Sequence, residues 1–157
     1  MRKLENNNQK KGMIDISEKS MTRREAIACA SVTLHKDAFK ILMAGGSPKG
    51  DVFETAKVAG ILAAKETPRL IPMCHPLELS KVGIEFYPNH KKYRVEIRAE
   101  VSCCGKTGVE MEALTAAAIA ALTIYDIMKY KDKGMVISDV KLLSKTGGKS
   151  GDFQREV

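Results

Sequence analysis

The apolar positions of the chain follow two periods, and their succession predicts its elements. Between Thr22 and His35, Ala26, Ala28, Ala30, Val32 and Leu34 alternate with Ile27, Cys29, Ser31 and Thr33. That is the period of a strand, although so many alanines also permit a helix. Met13 to Ser17 carries a shorter strand signal. Leu79 to Tyr87 and Tyr93 to Cys103 alternate in the same way, and Pro88 to Lys92 between them reads as the turn of an antiparallel hairpin. Met135 to Leu143 is the last strand. Helical spacing predicts Asp37 to Ala44, closed by Gly45-Gly46. It also predicts Val52 to about Lys65, with Asp51 as N-cap, Glu54 completing an aspartate capping box, and Pro68 as the stop. The stretch Gly105 to Glu112, with Gly105-Lys106-Thr107 as an entry turn, leads into a third helix that runs, rich in Ala and Leu, to about Lys129. In it Met111, Leu114, Ala118, Leu122, Tyr125 and Met128 are expected to face the core, with Glu112, Thr115, Ile119, Asp126 and Lys129 along the edge of that stripe. This order of elements is that of an α+β domain, a mostly antiparallel sheet with helices packed on one face.

Composition narrows the class. A chain of 157 residues with 44% hydrophobic and 29% charged positions supports one domain with its own core. We expect residues 1–12 to form a disordered tail and residues 13–157 a single domain. The net charge of +7 favours a polyanionic partner, or else a solvated lysine-rich surface. The basic residues are scattered and aromatic residues make up only 5%, so no nucleic-acid partner is expected. The four cysteines read as reduced thiols, and neither a signal-peptide pattern nor a run of about 18 apolar residues is present. A cytoplasmic protein without membrane contact is the expectation.

Candidate chemistry sits in four loops dense in Gly, Pro and Lys: GGSPKGD from Gly45, PMCHP from Pro72, GKTGVEME from Gly105 and SKTGGKSGD from Ser144. Glycines let the backbone approach a ligand, and lysines supply point charges for phosphate. Gly105-Lys106-Thr107 is not a P-loop, because Glu100 stands where that motif needs glycine. The start of the third helix still offers unpaired amides to an anion. Cys74-His75 lacks the spacing of a metal site, and no metal is expected. Cys74 is either a nucleophile or an inert thiol, and His75, bracketed by Pro72 and Pro76, suits a ligand contact or a structural role. Asp126 and Lys129, three apart, are either a surface ion pair or, if partly buried, a pair tuned for proton transfer. Glu112 and Asp126 point about 40° apart but lie about 21 Å apart along the axis. One helix therefore cannot bring both to one reacting centre, and a site using both must form between two copies. Glu110 and Glu112 point about 160° apart, so we expect Glu112 alone to face the site unless the segment is extended there.

These loops resemble a known family. KGDVFETAKVAGILAAK from Lys49, LIPMCHPLELSKV from Leu70, GKTGVEMEALTAAAIAALTIYDIMK from Gly105 and LLSKTGGKSGDF from Leu142 are similar to the cyclic pyranopterin monophosphate synthases of molybdenum cofactor biosynthesis. The similarity runs from about Met13 to Phe153. It implies a ferredoxin-like fold and a homohexamer, a trimer of dimers, with sites between subunits. It implies a lyase that converts a cyclised GTP-derived nucleotide to cyclic pyranopterin monophosphate and releases pyrophosphate, without a cofactor. By similarity Asp126 is catalytic, and Lys49 and Lys129 join it for acid/base work. Met73, Cys74, His75, Met111 and Glu112 bind substrate, and Lys145 lies in the same pocket. Cys103 and Cys104 carry no role in the pattern. A phosphate-metabolite sensor without turnover is the competing reading of the same lysines and glycines.

Overall fold

In the computed structural model, which describes residues 12–156, the alternating segments become one five-stranded sheet. The elements run β1 (Thr22–Thr33), α1 (Lys36–Met43), α2 (Val52–Leu70), β2 (Leu79–Asn89), β3 (Arg94–Gly105), α3 (Glu110–Met128), β4 (Val136–Thr146) and β5 (Phe153–Gln154). The sheet order is β2-β3-β1-β4-β5 and every pairing is antiparallel. A first strand that sits inside, between the third and fourth, with helical crossovers after the first and third, is the ferredoxin-like arrangement. β5 is a short addition beyond it, pairing Lys145 with Phe153.

Strand period decides which residues meet the helices. Ala26, Ala28, Ala30 and Val32 of β1 and Val95, Ile97, Ala99 and Val101 of β3 are buried under α3, while α2 packs on α3 and β2. The opposite sheet face is polar and carries ion pairs such as Lys81–Glu100 and Arg98–Glu96, each 2.7 Å. Asp51 caps α2 as expected, its Oδ1 accepting from the Glu54 amide at 2.9 Å.

Three expectations need correction. Met13–Ser17 is not a strand. It has no strand neighbour, and Ser17 instead folds back on Asp15, whose Oδ1 accepts from the Ser17 amide at 2.9 Å. α2 does not stop before Pro68 but continues to Leu70. Proline forfeits only its own amide in that last turn, while Thr67 Oγ1 donates to the Ala63 carbonyl (3.0 Å) and the Ile71 amide to the Thr67 carbonyl (2.9 Å). Helix α3 starts at Glu110, just past its entry turn, but its core face is rotated from the expected stripe. Ala113, Ala116, Ala117, Ala120, Ala121, Ile124 and Ile127 are buried with Met128, whereas Met111 and Leu122 are exposed. Small residues win the core face because α2 lies so close: a Cβ on Gly60 would stand 3.1 Å from the Ala116 carbonyl oxygen. Length and composition alone would let α3 cross a membrane, but its alanine face is the core of this domain. The expected tail, residues 1–12, lies outside the described residues except for Gly12.

Candidate active site

Two groups of side chains form at the two ends of α3. At its N-terminal end, the loop after α2 brings Met73, Cys74 and His75 beside Met111 and Glu112. They line a cavity of about 300 Å³, closed on one side by Ile14 and Ile16. His75 Nε2 is hydrogen-bonded to the Ile14 carbonyl at 2.6 Å, and Lys106 Nζ donates to the Ser17 carbonyl at 2.9 Å, so residues 14–17 lie as a strap across the opening. Glu112 is buried, and desolvation pushes its carboxyl up to about 7, with the charge of Glu110 adding to the effect. Burial also raises the Cys74 thiol, and the Glu112 charge raises it further, which keeps it protonated and argues against its use as a nucleophile.

A second cavity of about 480 Å³ opens on the far side of Glu110. It is lined by Lys19, Arg24, Lys145 and Lys149, with Thr22 and Ser150. Lys145 Nζ is 3.1 Å from Glu110 Oε1 and 2.8 Å from Ser150 Oγ. The loop that carries Lys149 is shaped by Gly147 and Gly148, at φ +87° and +88°, where any Cβ would collide with the Arg23 carbonyl or the Arg24 guanidinium. Glu110, Thr107, Gly108 and Lys19 border both cavities. Both glutamates therefore line the first cavity, Glu112 as expected and Glu110 beside it. Glu110 opens the helix at its first position, and a residue there is free to turn toward either side of the axis.

The C-terminal end of α3 holds Asp126 between two ammonium groups, Lys129 at 2.7 Å and Lys49 at 2.8 Å. Lys129 first and Lys49 second hold the Asp126 carboxyl down at about 2. About half of each of the three side chains is exposed. The partial burial that would tune Asp126 for proton exchange at neutral pH is thus not found in the single chain, where it is a fixed anion ordering two lysines. Tyr130 fastens the loop before Lys49 by donating to the Gly46 carbonyl at 2.8 Å. One chain therefore gathers Met73, Cys74, His75, Met111, Glu112 and Lys145 at one end of α3 and Lys49, Asp126 and Lys129 at the other.

Arg24, Thr22 and Lys19, which line the second cavity, escaped the sequence reading. Arg24 did leave a signal, since it keeps step with Ala26, Ala28, Ala30 and Val32 and so puts a cation on the core-facing side of β1.

A ferredoxin-like α+β domain that sets a guanidinium and several lysines beside two glutamates at a helix start has the makings of a nucleotide-phosphate enzyme. The comparisons with known proteins give the family: residues 13–148 match the MoaC family model, and the chain belongs to that family. It is 54% identical over 144 residues to the cyclic pyranopterin monophosphate synthase of Heliobacterium modesticaldum, covering 92% of this chain and 91% of that one. The proteins of the same name from Desulforapulum autotrophicum (53% over 141 residues, 90% and 86% covered) and Pelotomaculum thermopropionicum (51% over 144 residues, 92% and 85% covered) are similarly close.

Proposed function

We propose that the protein is a cyclic pyranopterin monophosphate synthase. It converts 3',8-cyclo-7,8-dihydro-GTP to cyclic pyranopterin monophosphate with release of pyrophosphate, a step of molybdenum cofactor biosynthesis in the cytoplasm. Residues 13–157 act as one catalytic domain. The observation that carries the reading is the division of the expected site between the two ends of α3, in a chain more than half identical to synthases of that name. Each active site then combines the N-terminal group of one subunit with the C-terminal group of another, within a homohexamer built as a trimer of dimers.

The chemistry follows from the groups so combined. His75 and Glu112 offer a donor and an acceptor for the edge of a guanine-derived ring, and Met73, Met111 and Cys74 supply its apolar walls. Lys129 and Lys49 are ammonium donors beside the reacting ring and the phosphates, with Asp126 fixing their positions. The cyclic phosphate closes when a hydroxyl of the substrate itself attacks the α-phosphorus and gives up its proton; the bond from that phosphorus to the oxygen bridging to the β-phosphate breaks, pyrophosphate leaves, and lysines stabilise the charge that develops on it. Lys145 adds a further positive charge.

Incubating the chain with the cyclised nucleotide, and assaying pyrophosphate together with pterin fluorescence after oxidation, tests the activity. Asp126→Ala is expected to abolish turnover while substrate still binds. Binding without turnover in the unaltered protein would leave the phosphate-metabolite sensor instead.

A further inference from the structure

We infer that Tyr130 is a positioning residue for Lys49: its hydroxyl clasps the loop between α1 and α2 to the end of α3, and so holds the Lys49 ammonium against Asp126. The inference rests on the proposed function for what Lys49 does there, but not for the clasp itself.

The loop does not order Lys49 unaided. Residues 45–50 read Gly-Gly-Ser-Pro-Lys-Gly, with Gly45 and Gly50 at φ +74° and +95°. Such a segment has many conformations to lose on folding. Its internal bonds only shape it on itself: the Ser47 amide donates to the Gly45 carbonyl at 3.1 Å, the Gly50 amide to the Ser47 carbonyl at 3.3 Å, and the Lys49 amide to Ser47 Oγ at 3.1 Å. The Lys49–Asp126 pair does reach α3, at 2.8 Å, but about half of each side chain is exposed. An ion pair in water contributes little, and does not by itself offset the ordering of a lysine on a glycine-rich loop.

Tyr130 supplies the second attachment. It follows Asp126 by four residues, so the two side chains leave the end of α3 on the same side. Tyr130 Oη donates to the Gly46 carbonyl at 2.8 Å and Asp126 accepts from Lys49 at 2.8 Å, two rungs joining one loop to one helix end. Both sides of this ladder are firm. Gly46 is tied to α1 by its amide, which donates to the Ile41 carbonyl at 3.0 Å, and Asp51, just past Lys49, is fixed as the cap of α2. The turn that carries Tyr130 is closed by the amides of Lys131 and Asp132, which donate to the Met128 carbonyl at 2.9 and 3.2 Å. Beyond it, Tyr125 Oη donates to the Lys133 carbonyl at 2.8 Å and Asp132 Oδ2 accepts from the His35 amide at 2.7 Å. A tyrosine suits this task because it brings few side-chain torsions to order, whereas a lysine brings its whole flexible stem. With the clasp made, Lys49 and Lys129 flank Asp126. With it open, Lys49 moves off with its loop and Asp126 keeps Lys129 alone.

Tyr130→Phe removes the hydroxyl and keeps the ring, and Tyr130 is exposed enough for that change to leave the fold intact. Two readouts on the full chain test the clasp. Carbon-detected NMR is expected to find the Asp126 carboxyl titrating at a higher pH in the variant, because one of the two ammonium groups beside it has left. Steady-state assay with the cyclised nucleotide is expected to show kcat lowered about three- to tenfold with KM nearly unchanged, as loss of one hydrogen bond that positions a reacting group implies. In a Lys49→Gln background, Tyr130→Phe should move the Asp126 titration no further. A wild-type value for either readout in the single variant would overturn the assignment. So would a shift that persists in the Lys49→Gln background, since it would then run through Lys129. A chain whose Asp126 titration moves as described, but which does not turn over the cyclised nucleotide even unaltered, keeps the clasp and loses the proposed reaction. Turnover with an unmoved Asp126 does the reverse.

Discussion

Glu112 and Asp126 share one helix, yet their carboxyls are held at opposite ends of the titration range, about 7 and about 2. The difference is environmental: Glu112 is desolvated, while Asp126 sits in water between two ammonium groups. Because Glu112 titrates higher folded than unfolded, the folded state binds more protons between about pH 4.5 and 7. Its favourable contribution is therefore present at low pH and is lost as pH rises through that window, by up to about 3 kcal/mol. Glu112→Gln has no such proton to lose. Urea unfolding at pH 5 and pH 8 should show the wild type weakening across the interval more than the variant does. Asp126 should behave in the opposite sense. Lys129→Gln removes its main stabilising bond, so carbon-detected NMR should find the Asp126 carboxyl titrating at a higher pH in the variant than in the wild type. Neither carboxyl's state was legible in the sequence, because burial and exposure were decided by which face α3 turns inward.

At the scale of elements, β1, β2, β3 and β4 were legible from apolar and polar alternation in the sequence, which the structure matches best in β3, where Val95, Ile97, Ala99 and Val101 are buried and the residues between them are not. The Asp51 cap was legible because its chemistry is local. Helix α3 was legible as a helix but not in its orientation. An apolar residue stands on almost every side of it, so large side chains such as Leu122 gave a false core stripe, and the true core face of Ala113, Ala117, Ala120 and Ala121 is set by close contact with α2 and β1. That contact predicts its own sensitivity. Gly60→Val would press branched methyls toward the Ala116 carbonyl oxygen and Ile84, at 3.1 Å from where the Cβ would stand, and should cost about 1–3 kcal/mol in denaturant unfolding. Asp51→Ala should cost about 1 kcal/mol by the same measurement, through loss of the cap on the Glu54 amide. The loops that line the two cavities were legible as loops from their Gly, Pro and Lys content. Arg24 and Thr22 were not, since they sit at the end of a strand whose remaining inward positions are Ala and Val.

For the molecule as a whole, α2 and α3 leave large apolar side chains half exposed: Val58 and Leu62 on the one, Leu122 on the other, each 52–55% accessible. Apolar surface of this kind fits contact with further copies of the chain, as the proposed composite site would require. Light scattering is expected to give a mass well above that of a monomer, and Leu62→Glu combined with Leu122→Glu should lower the mass and the activity together. A monomer at working concentration would contradict the composite site. The length of α3 has one more consequence, which belongs to inheritance. In the proposed composite site each gene product would be half of two different catalytic centres, so a cell carrying one allele damaged at His75 and another damaged at Lys129 is expected still to assemble an intact centre from the two good halves. Two alleles damaged at the same end cannot, and crosses between such strains would map the helix without a purified protein.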